Sequence, residues 1–420
     1  MFEESVVHHQ YSLGHIYAFI SLILSATPMR CVERVLDFFK PLFQTGLPAP
    51  SWYSGRLWLM KLGYYKLHTP KTQAQDWIWI VDHSVQLGSE KCFVILGIQA
   101  SKLNKRDDLT LSLEDVEPIT LSPVKTSNGD VVYQELMNAS DKTGTPVAIV
   151  GDKGPDLNKG VNKFCKTTGT LFIHDIKHKV ALLLKQYFER EPHWKSFCEM
   201  ATKTQQYVRQ TNIAGAAPPN QRSKARYMNV DSLVQWGINM LTILDKGIPE
   251  KYDEQQFKAK IGWVIHYKQD LLKWQKIMNF AVTTEITVRK QGIKLGITEQ
   301  LQQEFQKLNF CPESSIFRDQ LIYAVMEEEA KVGMAYILLG SSEIIESLFG
   351  RFKYLEQAQS SGGFTGLVLA LAALVAETTT NIIRQAMTSV TVNKLKDWFD
   401  ENIGQSVQAQ RIALNEYAAA

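Results

Sequence analysis

The stretch Trp77-Ile78-Trp79-Ile80-Val81-Asp82 carries the reading of this chain. It is an apolar run of strand-forming residues that ends on a carboxylate, so Asp82 is expected to project from a sheet edge into a cleft. A second such run, Cys92 to Ile98, follows a turn predicted at Leu87-Gly88-Ser89. A third strand is expected around 118–123, and Asn128-Gly129-Asp130 opens a helix through Met137. A short strand over 146–150 then ends in Gly151-Asp152, a helix covers 156–165, and a fifth strand over 170–174 ends at Asp175. The order strand, strand, strand, helix, strand, helix, strand predicts a mixed α/β sheet with helices on its faces. In that topology the fourth strand lies beside the first.

Upstream, residues 12–67 read as helical. Ile16, Phe19, Ile20 and Ile23 recur at helical spacing, as do Val32, Val35, Leu36 and Phe39. Pro28 is placed to open the second helix and Gly46-Leu47-Pro48 to close it. Ser51 is placed to cap a third, running to about Leu62 with Gly63 as its stop. Short helices joined by tight turns, the last carrying Arg56, Trp58 and Lys61, fit a helix-turn-helix module that binds DNA. Downstream, residues 177–331 show no convincing strand, only a break at 214–219 that runs into the basic stretch 220–226. A helix over 342–353 and a break at Gly362-Gly363 precede an apolar helix over 364–376. The expected domains are a helical DNA-binding region at 1–70, a first core segment at 71–185, an all-helical insertion at 186–334, closing core helices at 335–400 and a tail at 401–420.

A chain of 420 residues with 45% hydrophobic and 21% charged residues is a multidomain globular protein by size and composition. Its net charge of +3 is small, but residues 151–226 hold fourteen Lys or Arg against six Asp or Glu, a local balance of 14 − 6 = +8. Such a surface attracts polyanions. The five cysteines are odd in number and widely spaced, with no CxxC or Cys/His pairing, which suits a reducing cytosol and argues against a disulfide framework or zinc site. The apolar runs 16–24 and 364–376 fall short of the roughly 20 residues a spanning helix needs, so no membrane role is expected.

Three carboxylates stand at informative places: Asp82 ending the first strand, Asp152 following the fourth, and Glu346 on the helix after the long helical segment. Hard cations prefer oxygen ligands, and two Mg²⁺ or Mn²⁺ ions about 4 Å apart can stabilise the attacking and leaving oxygens of a phosphoryl transfer. Asp156 is an alternative to Asp152 if the fourth strand ends later. Other features invite blander readings. Asp175 is expected to cap the following helix and leave His178 and Lys179 facing phosphate, with an auxiliary metal or water ligand as the alternative. Glu327-Glu328-Glu329 reads as a solvated helix face. His8 and His9 are assigned nothing. The Gly-Asp-Lys-Gly of 151–154 lacks the spacing of a nucleotide loop.

Ile80-Val81-Asp82, Ile149-Val150-Gly151-Asp152 and the helix Ser342-Glu343-Ile344-Ile345-Glu346-Ser347-Leu348-Phe349-Gly350-Arg351-Phe352-Lys353 together resemble DDE transposases of bacterial insertion sequences, over roughly residues 28–376. The resemblance implies a ribonuclease-H-like core interrupted by a helical insertion, with Asp82, Asp152 and Glu346 holding two Mg²⁺ or Mn²⁺ ions. It implies cleavage of transposon ends and strand transfer into target DNA. Lys353, seven residues and about two turns after Glu346, would contact DNA near the cleaved phosphate, with Arg351 beside it. The same offset from Glu343 falls on Gly350, which favours Glu346. Double-stranded DNA (terminal inverted repeats and target) and a homodimer or larger assembly are the implied partners, in a bacterial cytoplasm at the nucleoid. Trp236 and Trp263 are candidates for stacking on a flipped base, although a Trp at helical spacing more often belongs to a core. Two other readings use the same residues: a ribonuclease-H-like nuclease that only hydrolyses, and a transposase-derived DNA-binding protein without catalysis.

Overall fold

Five strands form one mixed sheet in the order β3-β2-β1-β4-β5, in a computed structural model that describes residues 4–43, 48–83, 91–124, 127–220, 230–308, 312–334, 336–357, 366–403, 412, 414, 415 and 417. The turn expected at 87–89, the break at 362–363, most of the basic stretch at 220–226 and part of the tail lie outside the described residues. The strands are β1 (Trp77–His83), β2 (Lys91–Gln99), β3 (Glu117–Val124), β4 (Ala148–Gly151) and β5 (Leu171–His174). β1 pairs antiparallel with β2 and parallel with β4. Its first five residues are all buried, the mark of a strand covered on both faces. β3 carries Pro118 and Pro123 and lies at the sheet edge, where a missing backbone donor interrupts no second ladder.

The chain divides into two compact units, residues 1–173 with 341–420 and residues 174–340. The first holds helices α1 (Leu13–Leu24), α2 (Met29–Phe38), α3 (Trp52–His68), α4 (Gly129–Thr143) and α5 (Pro155–Thr168). Asn128 caps α4 by accepting from the Asp130 and Val131 amides. One sheet face packs Trp77, Trp79, Val81 and Ile149 against Val132 and Leu136 of α4 and Val161 and Phe164 of α5. The second unit is helical: α6 (Ile176–Arg190), α7 (Trp194–Val208), α8 (Val230–Lys246), α9 (Glu254–Ile261), α10 (Lys268–Gln291), α11 (Ile297–Gln306) and α12 (Ser315–Glu329). The chain then returns to the first unit with α13 (Glu343–Gln357), α14 (Thr380–Ser389) and α15 (Val392–Asn402).

Several expectations need correction. Ser51 caps α3 by accepting from the Ser54 amide, but the helix runs through Gly63 to His68. Gly63 is a contact glycine: a Cβ there would lie 1.9 Å from the Leu369 carbonyl oxygen. α1, α2, α14 and the 366–373 segment all pack on α3. The apolar stretch before Ala376 is not one long helix. Its described part is a 3-10 turn, Gly366–Leu369, and a single helical turn, Ala370–Ala373. Lys66 Nζ donates to the carbonyls of Ala373, Val375 and Ala376 and to Thr378 Oγ1, which draws those carbonyls away from helical pairing.

In the second unit only Glu327 of the acidic run is exposed. Glu328 is buried, accepting from the His174 amide at 2.9 Å and from Lys331 Nζ at 2.5 Å. Glu329 accepts from the amides of Gly296 and Thr298 at the start of α11. Trp236 is buried and donates to the Ala216 carbonyl, while Trp263 donates to Thr204 Oγ1. Both rings pack near Phe197, so they serve a helical core in this structure.

Candidate active site

The parallel ladder between β1 and β4 ends on the pair Val81 and Gly151. Asp82 and Asp152 are the next residues on their chains. They therefore stand on neighbouring chains, roughly 4.8 Å apart in a ladder, Asp82 still paired with Val94 of β2 and Asp152 just beyond the end of β4. Side chains alternate along a strand. Val81 faces α4 and α5, so Asp82 belongs to the opposite face with Ile78 and Ile80. β4 stops at Gly151 and Asp156 lies in the first turn of α5, so Asp152 is the first residue beyond the strand. Asp152 Oδ1 accepts from the Gly154 amide at 3.0 Å and Asp82 Oδ1 from the His83 amide at 2.7 Å. Both carboxylates are half-buried.

Glu346 lies in the first turn of α13, which packs against β1. The apolar stripe Ile345, Leu348, Phe352 and Leu355 holds that helix down. Glu346 stands about 135° round the axis from the stripe and Lys353 about 20° from Glu346, at 100° per residue. Lys353 is exposed and its charge opposes the burial that raises the Glu356 carboxyl above its ordinary range. Arg351 is half-buried, with Nε lacking a hydrogen-bond partner among the described residues.

The donor chemistry suits a hard divalent cation, since every candidate ligand is a carboxylate oxygen. Asp82 and Asp152 fit such an ion as a neighbouring pair. Among the described residues, however, no three His, Cys, Asp or Glu side chains converge closely enough to hold a metal. Glu346 shares the first unit with the pair but is not drawn into one ligand set with it.

The expected DNA contacts are placed as follows. Lys61 is buried, with Nζ 3.4 Å from His9 Nε2, and burial lowers its pKa. Arg56 is half-buried and its pKa is likewise lowered by burial. In the second unit, Asp175 is buried and caps α6 through the amides of Lys177 and His178. His178 Nδ1 lies 3.3 Å from Asp175 Oδ2, and Lys179 Nζ 3.6 Å from Glu327. His83 escaped the sequence reading, and its only signal there is adjacency to Asp82. Its Nε2 lies 2.8 Å from Ser127 Oγ. Burial and then Lys91 push its pKa down, against the opposing charges of Asp156 and Asp152.

No protein-family model matches the chain, and no curated protein matches it. Among solved structures it is similar to the Drosophila P element transposase strand transfer complex, with a TM-score of 0.42 and 14% identity over 92% of this chain and 94% of that one. A likeness of that degree carries no statement about chemistry. Among the described residues no helix is long and apolar enough to cross a membrane.

Proposed function

We propose that this chain is a DNA transposase with a ribonuclease-H-like core, in which Asp82, Asp152 and Glu346 hold Mg²⁺ or Mn²⁺. The observation that carries the reading is the register: two carboxylates follow the last residues paired between the parallel strands β1 and β4, on a sheet against which the Glu346 helix packs. What the ions would supply when bound is neutralisation of charge on the attacking and leaving oxygens. In the first step water attacks the phosphorus at the transposon end, the bond to the 3′-oxygen breaks, and a 3′-hydroxyl is freed. In the second, that hydroxyl attacks a target phosphodiester, forming one bond and releasing one target 3′-hydroxyl. No protein-bound intermediate is needed. Lys353 faces the same side of α13 as Glu346 and suits a phosphate contact. His178 and Lys179 are proposed as further phosphate contacts on the helical unit, once their carboxylate partners yield.

Incubation of a labelled duplex carrying the repeats that flank the gene, with Mg²⁺ or Mn²⁺, tests this for wild type and Glu346→Gln. Metal-dependent nicking and joining to a second duplex are expected for wild type, with both lost in the variant while binding persists. Cleavage retained by Glu346→Gln removes Glu346 from the set. Hydrolysis without joining leaves a nuclease, and binding without cleavage leaves a DNA-binding protein.

A further inference from the structure

The basic balance of residues 151–226 has a structured core that the proposed chemistry does not use. Helix α5 begins three residues after Asp152, and its sequence Pro-Asp-Leu-Asn-Lys-Gly-Val-Asn-Lys-Phe-Cys-Lys-Thr-Thr places Lys159, Lys163 and Lys166 at i, i+4 and i+7. Those three share one face, opposite the buried Leu157, Gly160, Val161 and Phe164, and all are exposed. The helix has one acid, Asp156 in its first turn, so none of the lysines has the carboxylate four residues away that commonly balances a solvated helix face. The balance comes instead from a neighbouring helix. Asp130, at the start of α4, sits 2.8 Å from Lys163 Nζ and 4.0 Å from Lys159 Nζ. The hydrogen bond from Lys163, with the charges of both lysines, holds the Asp130 carboxyl below its ordinary range. Lys163 Nζ also lies 4.5 Å from the centre of the Tyr133 ring.

We propose that this face of α5 is a track for the sugar-phosphate backbone of nucleic acid, and that Asp130 is an internal stand-in for phosphate that the polyanion displaces. From Lys159 to Lys166 the helix rises about 10 Å, the axial length of about three phosphates of one strand. Exposed ion pairs are weak and easily exchanged, so a polyanion competes with one carboxylate at little cost. Salt-dependent, sequence-independent affinity is what such a contact supplies, with counterions released for each phosphate bound. The inference rests on the DNA-handling reading above and adds to it a surface separate from the carboxylates.

The test is fluorescence anisotropy of a labelled random-sequence duplex without divalent metal, titrated at several salt concentrations. Proteins compared are wild type, the triple variant Lys159→Gln/Lys163→Gln/Lys166→Gln, Asp130→Asn, and a control Lys394→Gln/Lys396→Gln on the exposed face of α15. The triple variant is expected to bind roughly tenfold more weakly at low salt, with a log–log salt slope shallower by about two to three. Asp130→Asn is expected to tighten binding a few-fold, a direction that a folding defect does not produce, and the control to match wild type. Wild-type binding with an unchanged slope in the triple variant overturns the track and leaves the transposase reading standing. Weaker binding by Asp130→Asn overturns the stand-in role. Absence of salt-dependent binding by wild type overturns both the track and the reading on which it rests.

Discussion

At the residue scale, Asp82 and Asp152 form an arrangement that a fold does not choose for stability. Two half-buried carboxylates beyond the Val81 and Gly151 pair repel one another. Replacing Asp82 by Asn is therefore expected to stabilise the metal-free protein by about 1 kcal/mol, read as a higher melting temperature in EDTA, while ending cleavage. An unchanged or lower melting temperature would show that the two charges do not interact. Gly63 is the opposite case, a residue that serves packing alone. A methyl group 1.9 Å from the Leu369 oxygen forces backbone to move, so Gly63→Ala is expected to cost about 3 kcal/mol in urea unfolding. A cost below about 0.5 kcal/mol would mean that α3 and the 366–373 segment slide apart freely.

At the element scale, α3 joins the N-terminal helices to the C-terminal ones. Lys66 near its end has three carbonyls and a hydroxyl within hydrogen-bond distance, one more acceptor than an ammonium has protons. Lys66→Met leaves those buried acceptors without a donor, and a loss of about 3 kcal/mol is expected, with faster hydrogen exchange over 366–376. Helix α1 sets a pH dependence. His15 is buried, its Nδ1 lies 2.7 Å from Ser12 Oγ, and burial holds its pKa below the ordinary 6.5. The unfolded chain therefore takes up a proton first as pH falls through 6.5, and stability declines toward acid until the folded state protonates as well. His9, His68 and His83 are displaced in the same direction, each first by burial. The urea midpoint is expected to fall from neutral toward mildly acidic pH, and His15→Gln to lessen the fall. An equal fall in that variant would assign the slope to the other histidines.

At the scale of the whole molecule, the division into two units predicts where a ligand is felt. Mn²⁺ at the proposed site is expected to slow hydrogen exchange in 77–83, 148–151 and 343–357, all in the first unit, and to leave 174–340 unchanged. Protection in the helical unit instead would move the metal away from Asp82. The strands, their order in the chain and the helices between them were legible in the sequence, because a short run rich in β-branched and aromatic residues, such as Trp77 to Val81, fits the middle of a sheet covered on both faces. Asp82 and Asp152 stood out for the same reason: each is the first charge after such a run. Other features depended on distant partners. Gly63 looked like a helix stop and is a contact point, because Leu369 lies some three hundred residues away in sequence. Lys61 looked like a DNA contact and is buried beside His9, and Glu328 looked solvated yet receives the His174 amide. The sequence by itself determined what is local, namely periodicity, capping and which carboxylates stand near the ends of β1 and β4, although β1 runs on through Asp82 to His83. Tertiary structure alone decided which polar groups are buried and which glycines are crowded, because both depend on atoms that only folding brings near.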